Sequence, residues 1–116
     1  MWSIEEIDDD RNPFGKAKDG LVVISPQAPC EMVADIARHE WMHLQQRRHH
    51  DSPKAYYGGQ ERVELIADCG SMLLGSTVTP YLDPERHAYI GQCQPGDYAE
   101  ARRLIDWPGW RADAQP

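Results

Sequence analysis

The sequence of 116 residues is poor in the side chains that usually fill a core: it has one phenylalanine, and leucine, isoleucine and valine are sparse. That excludes a large self-sufficient interior and leaves one domain with a modest core, to which a bound metal would add stability. No apolar run reaches the length that spans a bilayer, and the N-terminus lacks the basic-then-apolar layout of a signal peptide. Positive charge is also short, with 12 Lys and Arg against 19 Asp and Glu and a formal net charge of -7. Nucleic acid and anionic membranes are therefore not the expected partners. The expected compartment is the cytoplasm, with a secreted domain that has lost its leader as the alternative. Cysteine is scarce as well, and the three residues form no CxxC pair, which argues against a zinc ribbon or a dense disulfide framework. Cys30, Cys69 and Cys93 read most simply as buried free thiols. A Cys69–Cys93 disulfide is the sharper alternative and would point to an oxidising compartment.

What the sequence does contain is His39-Glu40-Trp41-Met42-His43, an HExxH pattern. From Cys30 to Arg48 there is neither glycine nor proline, and Met32, Val33, Ile36, Ala37 and Leu44 recur at helical spacing. On such a helix the two histidines project from one face, about 6 Å apart along the axis, where a single Zn²⁺ can accept both. Glu40 then sits beside the metal as general base for a metal-bound water. His49 and His50, at the far end of the helix, read as a solvated cationic terminus suited to the helix dipole rather than as ligands.

Around this helix the chain reads as α+β. Trp2–Ile7 alternates like a strand, and Leu21–Ser25 is the best strand in the sequence. The two are expected to pair as a hairpin across a long loop of turn chemistry. Asp8–Asp10 in that loop reads as solvated, because the EF-hand spacing is missing. Pro29 suits the first turn of the active-site helix. Residues 51–60 read as a loop and 61–74 as a second helix, with Val63, Ile66, Ala67, Met72 and Leu73 as its buried stripe. Residues 77–96 are irregular. A third helix is expected over 97–105, started by Asp97 with Glu100 in a loose capping box and facing the core through Ala101, Leu104 and Ile105. The domain spans 1–116, with its core over about 19–106 and a poorly ordered tail over 107–116, from which Trp107 and Trp110 can pack back.

A catalytic zinc usually takes a third protein ligand. The metzincin histidine is missing, because no glycine follows His43 until Gly58. The second helix carries Glu61, Glu64 and Asp68, with Glu64 and Asp68 four apart on one face. Glu61 competes as a ligand one turn earlier. His39–His43 followed by Glu64-Leu65-Ile66-Ala67-Asp68 resembles the gluzincins, which pair HExxH with an ExxxD-type motif on the next helix. In size the chain is most similar to minigluzincin peptidases. It looks more loosely like the peptidase domain of phage and bacterial antirepressor-type regulators, and like small HExxH proteins of actinobacteria and their phages.

The resemblance, over about residues 21–75, implies a zincin-like fold: a small antiparallel sheet packed on the active-site helix, with the second helix crossing it. It implies that His39, His43 and Glu64 bind zinc, that Glu40 is the base and proton shuttle, and that Asp68 holds the far nitrogen of a zinc histidine, His39 by expectation. The implied activity is hydrolysis of peptide or protein substrates by a zinc-bound water, with Leu21–Ser25 as the cleft edge that pairs with an extended peptide. The alternative is a catalytically weak or inactive zinc domain acting as a regulatory or interaction protein. Larger gluzincins supply a Tyr or His from a further domain to stabilise the oxyanion; in this chain Tyr81, His87 and Tyr89 are the candidates.

Overall fold

Every element is arranged around one helix, α1 (Val33–His49). The computed structural model describes residues 2–7, 14–18, 20–76 and 93–106. On one side of α1 lies a three-stranded sheet of β1 (Trp2–Ile4), β2 (Gly15–Lys18) and β3 (Leu21–Ile24). On the other side lie α3 (Gln60–Leu73) and α4 (Pro95–Asp106). A 3-10 turn, Cys30–Met32, leads into α1, and a short helix α2 (Pro53–Tyr57) connects α1 to α3.

Two apolar clusters follow from this layering. Ala17, Val22, Ile24, Ala28, Ile36 and Leu44 pack between the sheet and α1, while Met42, Leu65, Ile66, Ala67, Cys69, Ala101 and Leu104 pack between α1, α3 and α4. The helical repeat explains how one helix serves both. Ile36, Glu40, Leu44 and Arg47 follow one another along the row that meets the sheet, and His39, His43 and Gln46 form the next row, which meets α3. Gly70 allows the close approach on the α3 side, since a Cβ there would stand 2.4 Å from the Met42 methyl. Met72, expected in the buried stripe of α3, is 39% exposed.

The sheet differs from the expected antiparallel hairpin. Its order is β1-β3-β2, with β3 antiparallel to β2 and parallel to β1. Gly15–Lys18, read as part of a loop, is a strand joined to β3 through a tight turn with Gly20 at φ +76°. This local closure takes one side of β3, and β1 docks on the other as the far arm of a wide β1–β2 hairpin with β3 inserted. Leu21–Ile24 is therefore the central strand and cannot serve as a cleft edge. That edge is β2. The Phe14 carbonyl accepts from the Ser25 N–H at 2.8 Å, which sets the ladder so that Gly15 and Ala17 turn their backbone groups outward.

Residues 51–60 likewise hold α2, whose signal was present in Ser52-Pro53. Ser52 Oγ accepts from Ala55 N–H, Pro53 opens the helix, and Gly58 closes it at φ +85°. α4 begins two residues before the expected Asp97. The Asp97 carboxylate accepts from the Gln94 N–H at 2.8 Å, so Asp97 fills the third helical position and Gln94 the cap. Cys69 and Cys93 form a disulfide that ties the chain entering α4 to α3, while Cys30 is exposed; the reading of all three as buried thiols is overturned. Among the described residues no helix is long and apolar enough to cross a membrane. Asp8–Asp10, Trp107 and Trp110 lie outside the described residues.

Candidate metal centre

α1 and α3 cross so that three side chains meet. His39 Nε2, His43 Nε2 and Glu64 Oε1 all lie within 4.8 Å of one another. Glu64 Oε1 stands 3.0 Å from His39 Nε2 and 2.9 Å from His43 Nε2, and the two nitrogens are 3.1 Å apart. The rings meet edge to face, with centroids 4.6 Å apart. His39, Glu40 and His43 are 4%, 2% and 6% exposed. Glu61, the competing ligand, is exposed and stays out of the group.

Each of the three has its own orienting partner. The Asp68 carboxylate accepts from His39 Nδ1–H at 2.7 Å, as expected from the resemblance. Gln46 Oε1 accepts from His43 Nδ1–H at 2.8 Å, and Gln60 Nε2 donates to Glu64 Oε2 at 2.7 Å. The two glutamines escaped the sequence reading, although spacing offered a signal: Gln46 lies one turn beyond His43 and Gln60 one turn before Glu64. With both Nδ1 atoms protonated and engaged, both Nε2 lone pairs face the Glu64 carboxylate. Three convergent lone pairs repel unless protons or a cation stand among them. Burial pushes the His39 imidazolium down, but its bonds to Asp68 and Glu64 outweigh this and hold the group well above its ordinary value. Burial pushes the Glu64 carboxyl up, and the two histidines overcome that and hold it far below the usual carboxylate range.

Two imidazoles and a carboxylate are the donor set of a catalytic zinc site. A tetrahedral ion with bonds of about 2.0–2.1 Å holds its ligand atoms about 3.3 Å apart, so the group fits zinc after an outward shift of a few tenths of an ångström. Glu40 Oε2 lies 4.0 Å from His39 Nε2, beside the group rather than in it. It occupies the α1 row that meets β2, where a Cβ on Gly15 would stand 3.2 Å from Glu40 Cγ. The site thus lies between α3, which carries Glu64 and Asp68, and the edge of β2, which covers Glu40.

The other candidates are elsewhere. His49 and His50 cluster with Arg103, and His50 stacks on Tyr56 with ring centroids 3.6 Å apart, so this end of α1 is packed rather than simply solvated. Tyr81, His87 and Tyr89 lie outside the described residues. Compared with known proteins, the chain matches no protein-family model, no curated protein and no solved structure.

Proposed function

We propose that this chain is a zinc-dependent metallopeptidase of gluzincin type, with a zincin-like fold, acting on a peptide or protein substrate. The observation that carries the reading is the convergence of His39 Nε2, His43 Nε2 and Glu64 Oε1 beside the buried carboxylate of Glu40. His39, His43 and Glu64 would hold the ion, which when bound supplies a Lewis acid that polarises a carbonyl and acidifies water. Glu40 Oε2 accepts a proton from the attacking water and returns it to the leaving amine nitrogen. The outward backbone groups of Gly15 pair with an extended substrate beside Glu40. The neighbouring outward carbonyl of Ala17 already accepts from the Arg47 guanidinium, which limits this pairing to a short stretch. The Cys69–Cys93 disulfide favours an oxidising compartment over the cytoplasm.

The test pairs elemental analysis with cleavage of a broad peptide library. Glu40→Gln is expected to keep near-stoichiometric zinc and to lose roughly 10²–10⁴-fold in turnover. Undiminished turnover in that variant sinks the assignment. The low exposure of the donors favours a second reading, a zinc domain in which the ion serves folding or a partner. Its signature is zinc in the parent protein, a melting temperature that falls on chelation, and no cleavage by the parent.

A further inference from the structure

Gln45 and Gln46 are consecutive, and both are fully buried on α1. They differ in what their amides do. Among the described residues neither Gln45 Nε2 nor Gln45 Oε1 has a hydrogen-bond partner. Both polar atoms of Gln46 are used: Nε2 donates to the Val63 carbonyl at 2.9 Å and Oε1 accepts from His43 at 2.8 Å. An amide has one donating end and one accepting end, so the first bond dictates the second. Because the NH₂ is committed to Val63, only the oxygen can face His43. An oxygen there requires the proton on Nδ1, which leaves the Nε2 lone pair directed at the ligand group. Val63 directly precedes Glu64, so the same amide also fixes the stretch of α3 that carries the third donor.

We propose that Gln46 is a positioning residue that links two donors of the metal site: one buried carboxamide sets the tautomer of His43 and clamps Glu64 at ligand distance from it. The proposal rests on the zinc reading above. It also contrasts the two histidines, since His39 leans on the anionic Asp68 and His43 on a neutral amide. The centre therefore carries one less negative charge than it would with two carboxylate partners.

The experiment measures zinc affinity by competition with a chromophoric chelator, and the imidazole ¹⁵N shifts of His43 in the zinc-loaded full chain. Gln46→Leu is expected to weaken zinc roughly 10–100-fold and to lose the slowly exchanging His43 Nδ1–H signal. Gln45→Leu, an equally buried change one residue away, is expected to leave both unchanged. Gln46→Glu separates the two roles, because a carboxylate still accepts from His43 but cannot donate to Val63. It should keep the Nδ1–H signal, lower the melting temperature, and bind zinc with an affinity between the parent and Gln46→Leu. Should Gln46→Leu fail to fold, Gln46→Glu decides alone, and loss of its Nδ1–H signal overturns the proposal. Zinc binding by Gln46→Leu as tight as that of Gln45→Leu overturns it as well, leaving the zinc reading intact. A parent chain that takes up no zinc overturns both.

Discussion

Gly15 has no side chain where the edge of β2 passes over Glu40. A Cβ there would stand 2.3 Å from Ile36 Cγ2 as well as 3.2 Å from Glu40 Cγ, and neither neighbour lies at the end of a long flexible chain. Gly15→Ala is therefore expected to destabilise the protein by about 1–3 kcal/mol through overpacking, as read from urea unfolding. Ile36→Ala removes the closest atom, so the double variant should be less destabilised than the sum of the two singles. Strict additivity would mean that strand and helix part freely and that β2 does not fix Glu40. Gln46 and Gly15 show that two of the site's constraints come from residues with no reactive group.

Among the elements, α3 has a double duty, because it supplies Glu64 and Asp68 to the site and Leu65, Ile66, Ala67 and Cys69 to the core. Its disulfide closes a span of 24 residues between Cys69 and Cys93. Such a loop loses entropy on closure worth about 3 kcal/mol, so replacing both cysteines with alanine is expected to lower the melting temperature by roughly 10–20 °C. An unchanged melting temperature would show that α4 docks without the bond. α1 and α3 were legible in the sequence because apolar spacing and the HExxH and ExxxD pairs share one period, so that pattern and chemistry agree, whereas the short α2 was read as loop. β3 was legible through Val22, Val23 and Ile24. β2 was not, since Gly15-Lys16-Ala17-Lys18 has no β-branched or aromatic residue, and only the Asp19-Gly20 pair beside it signals a hairpin. The parallel pairing of β1 was beyond reach for a different reason: strand order is decided by which partner docks on β3, and no local pattern encodes that. The role of Gln46 was hidden likewise, since it depends on a backbone carbonyl of another helix.

For the whole molecule, acid is the expected weakness. Where α1, α2 and α4 meet, Glu100 accepts from Tyr57 and Arg103, and His50 packs beside it. Burial raises the Glu100 carboxyl, but Arg103 and Tyr57 outweigh it, and its folded value lies below the ordinary 4.5. Its contribution is therefore present above pH 4.5 and is lost as pH falls through the folded value. Burial lowers His50 from 6.5, so the unfolded chain binds that proton more readily and stability declines as pH falls below 6.5. Both effects have the same sign. Thermal melts between pH 7 and pH 3 should show the gap between the parent and Glu100→Gln narrowing below pH 4.5; a constant gap would remove Glu100 from the account. A last consequence follows from α1 lying between the two apolar clusters, with Trp41 packed against both. Among the described residues the sheet and the α3–α4 pair each bury their apolar face against α1, so neither is expected to persist alone as a subdomain. His39 and His43 stand on that shared wall and Glu64 meets them from α3, so the protein should lose this cluster and both its layers in a single cooperative step.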